Sequence, residues 1–234
     1  MKNCGFIITC EHGGYEVPLR YKDLFQGQEP VLMSHRGWDP GALELAKWIS
    51  EKLNAPLFYT TISRLLIECN RSLDHQQLFS AFTQHLDDEA KTDLLGIYNH
   101  YRDSVIKKVQ EVFHASEFVC HLSIHSFTPE WNGEKRLTDI GVLFDPDRKH
   151  EAAFCGVLIN ELTKSLPSFI ISANMPYQGV DDGFTTFLRK KFGVNYLGIE
   201  IEVNQKFVET PDIELIKNAL FKSIVISGNT YFKE

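Results

Sequence analysis

Strand-like apolar runs and helix-like segments alternate along the whole 234-residue chain, and this alternation limits the possible folds more than any other feature. Short apolar runs at Cys4–Cys10, 56–60, 65–69, 118–124, 140–144, 168–172 and 196–203 read as strands. Between them, 39–53, 88–114, 151–165, Phe184–Phe192 and 212–226 place apolar residues at helical spacing. In 39–53 the stripe is Leu43, Leu45, Ala46, Ile49 and Leu53, with Asp39 as the expected N-cap and Pro40 at the first helical position. In 88–114 the inner side is Leu94, Leu95, Tyr98, Tyr101, Val105, Val109, Val112 and Phe113. The pattern predicts an α/β three-layer sandwich, a mostly parallel mixed sheet with helices on both faces. No repeat, low-complexity tract or linker divides the chain, so one domain over 1–234 is expected. Residues 15–37, with Pro18 and Pro30 as breakers, are expected to line a site or hold a short helix, and 128–138 to form an exposed loop.

The function classes narrow next. A net charge of -7 argues against a nucleic-acid binder, which needs a basic face, but is compatible with a small anionic substrate in a locally basic pocket. The five cysteines are odd in number, form no CxxC pair and sit largely in apolar runs, as expected for reduced thiols in a cytoplasmic protein. No membrane-length apolar segment or signal peptide is present, so no membrane association is expected; the oligomeric state is left open.

In α/β sheets of this type the site lies at the carboxyl ends of the strands. The first run ends in Glu11-His12-Gly13-Gly14, a second ends in Ser123-Ile124-His125-Ser126, and Asp39 opens a helix. Two histidines and one carboxylate form a common ligand set for a catalytic zinc, with the fourth position left for water. The two glycines after His12 would let a ligand approach closely. Taken singly, His12 fits a plain surface turn and Asp39 a plain helix cap; Glu16, Glu11 and His35 are rival ligands. In Ile199-Glu200-Ile201-Glu202-Val203-Asn204, period two puts both glutamates and Asn204 on one face of a strand packed on the other. Such a face must meet water, a metal or basic groups, and a glutamate there suits a general base for metal-assisted amide hydrolysis. Arg64 and Asn70-Arg71 offer a bidentate grip on a substrate carboxylate; alone, either arginine also fits a surface ion pair.

The ordered series H-G-G, D-P-G-A, S-R-L-L-I-E-C-N-R, S-I-H-S-F, N-M-P-Y and I-E-V-N-Q, from residue 5 to about 207, resembles the N-formylglutamate amidohydrolase family. The resemblance implies a fold and metal chemistry similar to zinc carboxypeptidases and aminoacylases. It implies Zn2+ held by His12, Asp39 and His125, Glu202 rather than Glu200 as the base, and Asn70-Arg71 as the carboxylate-binding pair. The chain departs from the family in carrying Glu68 where an aspartate is usual, Glu11 and Gly13 around the first histidine, and the Glu200/Glu202 doublet. The expected activity is zinc-dependent hydrolysis of a small anionic N-acyl amino acid such as N-formylglutamate. Arg136 or Arg64 would hold the oxyanion, and Tyr177 and Asp182 would form a lid. The alternatives are a zinc amidase acting on a cell-wall amide, which calls for a long open groove, and a binding protein without turnover.

Overall fold

The computed structural model of the protein describes residues 3–232. Its elements run β1 (Cys4–Cys10), α1 (Glu29–Leu32), α2 (Ala42–Leu53), β2 (Leu57–Tyr59), α3 (Asp88–Ala115), β3 (Phe118–Phe127), β4 (Glu130–Trp131), β5 (Glu134–Lys135), β6 (Ile140–Leu143), α4 (Lys149–Ser165), β7 (Ile171–Ala173), α5 (Phe184–Phe192), β8 (Tyr196–Asn204) and α6 (Asp212–Phe232). Six strands form one sheet in the order β2-β1-β3-β8-β6-β7. All neighbours are parallel except β6 and β8, so the sheet is mixed and mostly parallel. β4 and β5 make a separate antiparallel hairpin.

Alternation along the central strands decides the layers. Ile8 and Cys10 of β1, Leu122 and Ile124 of β3, and Ile199, Ile201 and Val203 of β8 pack under α2, α4 and α6. The opposite face carries Ile7, Val119 and Tyr196 beneath α3 and α5. That second face also carries Thr9, His121, Ser123, His125 and Glu202, all buried, so the polar groups are stacked along one side of an otherwise apolar sandwich. Among the described residues, no helix is long and apolar enough to cross a membrane. All five cysteines are unpaired, and four are buried.

The structure corrects the expected elements in several places. Asp39 is not the cap of α2; Gly41, in the left-handed region at φ 77°, occupies that position and the helix starts at Ala42. A side chain at Gly41 would also press on Val208 at 2.7 Å. β3 does not stop at 124 but continues to Phe127, so His125 lies within the strand. The run 65–69 is not a strand. It is a buried turn whose backbone is satisfied from outside the sheet: Glu68 N donates to Leu78 O (2.9 Å), Thr83 Oγ1 to Leu66 O (3.0 Å) and Arg102 Nη1 to Cys69 O (3.1 Å). The 15–37 segment holds a 3-10 helix, Leu19–Phe25, as well as α1, and α6 runs six residues past the expected 226.

Candidate metal centre

Four backbone segments meet above the carboxyl ends of β1 and β3. His12 follows β1 by two residues, and its carbonyl accepts from the Asp39 amide (2.9 Å), which pins the loop before α2 to the strand end. Ser126 Oγ, one residue beyond His125, donates to Pro40 O (2.7 Å) and fixes the same loop from the β3 side. The glycines after His12 serve this assembly differently from expectation. A Cβ at Gly13 would lie 3.0 Å from Thr60 O, and one at Gly14 2.7 Å from Thr61 O. The close approach they permit is therefore that of the 60–61 backbone, not of a ligand.

The resulting side-chain geometry is compact. Asp39 Oδ2 stands 3.1 Å from His12 Nδ1 and 2.9 Å from His125 Nδ1. His12, Asp39 and His125 are buried and place one ligand atom each within 4.8 Å of one another. The outer nitrogens face carboxylates: His12 Nε2 is 2.5 Å from Glu68 Oε1, and His125 Nε2 is 3.3 Å from Glu11 Oε2 and 2.8 Å from Ser123 Oγ. Glu11 is itself held by Tyr101 (2.8 Å) and Ser123 (2.6 Å). Arg64 bridges Glu68 Oε2 (2.6 Å from Nε) and Asp39 Oδ1 (3.4 Å from Nη1).

This donor set fits a tetrahedral divalent metal. Two imidazole nitrogens and one carboxylate oxygen converge, and the 2.9 and 3.1 Å separations are near the roughly 3.3 Å ligand-to-ligand edges that bonds of about 2.0–2.1 Å produce. With both Nδ1 atoms given to a metal, each Nε2 carries a proton and points it at a carboxylate, the arrangement that fixes and strengthens a histidine ligand. Burial alone would raise the carboxyls of Glu11, Asp39 and Glu68. The facing imidazoles, with Arg64 beside Asp39 and Glu68, instead hold all three well below the usual carboxylate range. Burial opposes charge on His125, yet its hydrogen bonds to Asp39 and Glu11 outweigh it and raise that imidazole well above its ordinary value.

Glu202 behaves oppositely. It pairs in register with His125 on the neighbouring strand, and burial pushes its carboxyl up to about 8, with the charges of Asp39 and Glu200 acting in the same direction. Its Oε2 is buried without a hydrogen-bond partner. A cavity of about 150 Å³ opens over these groups, lined among others by Glu202, Glu200, Asn70, Arg71, Tyr177 and Asp182.

Asn70 and Arg71 do not follow a strand but emerge from the buried 65–69 turn, tied to the candidate metal site because Glu68 Oε1 accepts from the Asn70 backbone amide (3.1 Å). Asn70 Oδ1 accepts from Phe184 N at the start of α5 (2.8 Å). The carbonyl of Arg71 receives Tyr98 Oη (2.8 Å) and Arg102 Nη1 (3.0 Å) from α3. Arg71 donates to the main-chain oxygen of Asp182, and both carboxylate oxygens of Asp182 are taken by Ser72.

Arg136 is not among the cavity-lining residues. Its guanidinium lies over Tyr177, Trp131 and Phe127, at 5.1, 5.4 and 5.7 Å from the ring centres, and donates to Tyr177 Oη (3.1 Å). Of the rival ligands, Glu16 is exposed and accepts from Thr61 (2.7 Å), Glu11 stands behind His125, and His35 lines the cavity against Trp131. Glu200 is not paired with an arginine; its Oε1 accepts from Thr185 Oγ1 (2.6 Å). The sequence reading missed Glu68 as the partner of His12. The four-residue spacing from Arg64 was the available signal, since it puts the two side chains in one ion pair.

The model of the family described as N-formylglutamate amidohydrolase matches residues 4–208. Among solved structures, the gene product Atu2144 of Agrobacterium tumefaciens is similar at 26% identity and a TM-score of 0.80, over 96% of this chain and 90% of that one. An N-formylglutamate amidohydrolase from Ralstonia eutropha JMP134 is 16% identical with a TM-score of 0.66, over 100% of this chain and 95% of that one, a likeness of fold. A comparison with curated proteins returned no match.

Proposed function

Because the chain belongs to the N-formylglutamate amidohydrolase family, we propose that it is a zinc-dependent hydrolase, carried on one domain, that cleaves the amide bond of a small N-acyl amino acid. N-formylglutamate is the example the family offers. Its metal would be held by His12, Asp39 and His125. A zinc bound there supplies Lewis-acid activation of water and of the amide carbonyl.

The remaining chemistry falls to the chain's own residues. Glu202 takes the proton of the attacking water and returns it to the leaving amine; its buried carboxyl, with Oε2 unpartnered, is free to make both transfers. Asn70 and Arg71 bind the substrate carboxylate and orient the scissile bond. Arg136 donates to the hydroxyl of Tyr177, which lines the cavity, and in this reading it acts through Tyr177. Arg64 keeps Asp39 and Glu68 ionised.

The observation that carries this reading is the unpartnered, buried Oε2 of Glu202 in the same small cavity as the His12, Asp39 and His125 side chains. A cavity of about 150 Å³ favours a small acyl amino acid over an extended cell-wall strand. The test is release of free amine from N-formyl and N-acetyl amino acids by zinc-loaded protein. Glu202→Gln is nearly isosteric, and its kcat is expected to fall about 100- to 10,000-fold with zinc content unchanged. A variant with full zinc and near-normal kcat would remove Glu202 from the chemistry.

A further inference from the structure

The charges around the cavity do not all neutralise one another. Arg64 is engaged by Asp39 and Glu68, and Asp182 by the Ser72 amide and hydroxyl. Asp181 sits exposed at the rim and caps its own turn through the Gln178 amide (3.1 Å). Besides Asp181 at the rim and Glu202, which the reaction uses, two lining groups of opposite charge remain. Arg71 donates only to a main-chain oxygen, and Glu200 accepts only from the Thr185 hydroxyl. Both line the cavity, and among the described residues neither has an ion-pair partner within 4.0 Å, not even each other.

The ground between them is kept open. Gly183 carries no side chain where a Cβ would stand 3.3 Å from Glu200 Oε1 and 3.5 Å from Asn70 Oδ1. Glu200 lies on the same strand face as Glu202, two residues deeper, and the unpartnered Oε2 of Glu202 marks the same wall as one where an incoming ligand must complete the hydrogen bonding. A half-buried carboxylate with a single hydroxyl partner is costly to keep in a small cavity unless a cation or donor joins it. A substrate with a second carboxylate would place like charges side by side there.

We propose that Glu200 is a specificity-determining residue that selects a substrate bearing a cationic group in addition to the carboxylate held by Asn70 and Arg71, an N-acyl derivative of a basic amino acid in preference to N-formylglutamate. The inference rests on the reading of the cavity as an N-acyl amino acid site and names the substrate class within it. The ammonium forms a charge-assisted hydrogen bond with Glu200 while the carboxylate meets Arg71. It is either the side-chain ammonium of an Nα-acyl compound or the α-ammonium of an Nω-acyl compound, and the two share this chemistry.

The test compares kcat/KM of the zinc-loaded protein for Nα-formyl-lysine, Nε-formyl-lysine, N-formylnorleucine and N-formylglutamate. One lysine compound is expected to exceed the norleucine compound by at least about tenfold, with the glutamate compound below both. Which lysine compound wins assigns the acylated nitrogen. Glu200→Gln should bring the lysine-to-norleucine ratio close to one, and Glu200→Asp, which keeps the charge on a shorter arm, should retain part of it. Calorimetric binding of the same four compounds to the zinc-loaded protein in a Glu202→Gln background, with Glu200 intact or replaced by Gln or Asp, reads the same order without turnover. If nothing is hydrolysed but that order holds and collapses in Glu200→Gln, the proposed activity fails and the role of Glu200 stands. Equal handling of the better lysine compound and the norleucine compound, a preference for the glutamate compound, a ratio that survives Glu200→Gln, or no binding of any of the four compounds overturns the inference.

Discussion

His12 is the residue on which the centre turns, because its two nitrogens face two different acids. Nδ1 looks at Asp39 and Nε2 at Glu68. Replacing His12, Asp39 or His125 by Ala removes one of three ligand atoms, and elemental analysis should find zinc falling from one per chain to near none in each. Glu68→Gln leaves the ligands in place but replaces the acceptor that orients the imidazole. Its zinc affinity should drop about 10- to 100-fold in a chelator competition while saturating zinc still loads the site. Full occupancy in the Asp39 variant would instead pass the ligand role to a neighbouring acid, Glu68 at 2.5 Å from His12 or Glu11 at 3.3 Å from His125.

At the scale of elements, α3 does more than cover the sheet. Its Arg102 is buried under the rings of Phe184, Phe187 and Tyr98, at 4.2, 4.6 and 4.8 Å, and donates to the carbonyls of Cys69 and Arg71. Arg102→Met keeps much of the packing but leaves those carbonyls short of a donor. Substrate KM should rise about tenfold, with zinc content unchanged and kcat less affected, as loss of a carboxylate grip alone predicts. An equal fall in kcat with lost zinc would mean instead that the whole 65–71 turn had come loose. β3 carries a second device at His121, enclosed between Thr9 Oγ1 (2.7 Å) and the Tyr196 hydroxyl. Burial pushes its pKa down to about 4. The unfolded chain, near 6.5, binds the proton first as pH falls, so stability is complete above about 6.5 and is lost between 6.5 and 4, by about 3 kcal/mol in total. Urea unfolding at pH 7.5, 6 and 5 should therefore show the advantage of wild type over His121→Gln shrinking with acid. A gap that is constant with pH would mean that His121 does not titrate in this window.

For the whole molecule, the candidate metal centre joins the end of β1, the loop before α2, and β3, segments distant in the chain. A ligand that binds only the folded state stabilises it by mass action, about 4 kcal/mol at a thousandfold excess over Kd. For a chain of this size that corresponds to a Tm roughly 8–16 °C higher with zinc than after chelation, a difference that scanning calorimetry reads directly. His125→Ala should lose the zinc-dependent shift while folding to the same secondary structure by circular dichroism. A Tm indifferent to zinc in wild type would remove the metal from this site.

The chain's own periodicity determined the sandwich, because burial on both faces of a parallel sheet leaves a readable alternation of apolar strands and amphipathic helices. β1 and α5 were legible to the residue, and the faces of β8 followed from period two. The candidate ligands were legible as a set, since two strand-end histidines and a helix-opening aspartate together make a common zinc donor set although each singly fits a structural role. What the sequence could not carry was any property that depends on which distant groups meet. The 65–69 run has the apolar content of a strand but is a turn, because its hydrogen-bond partners come from Leu78, Thr83 and Arg102. β3 reads as ending at 124 because His125 and Ser126 look polar, although His125 is buried in the strand with Glu11 and Asp39 as its partners. Glu68 is 56 positions from His12, and Glu200 and Arg71 face one cavity without touching. Such pairings are set by the packing of whole elements, since a side chain's charge partner is fixed only once the backbone segments that carry both have been brought together.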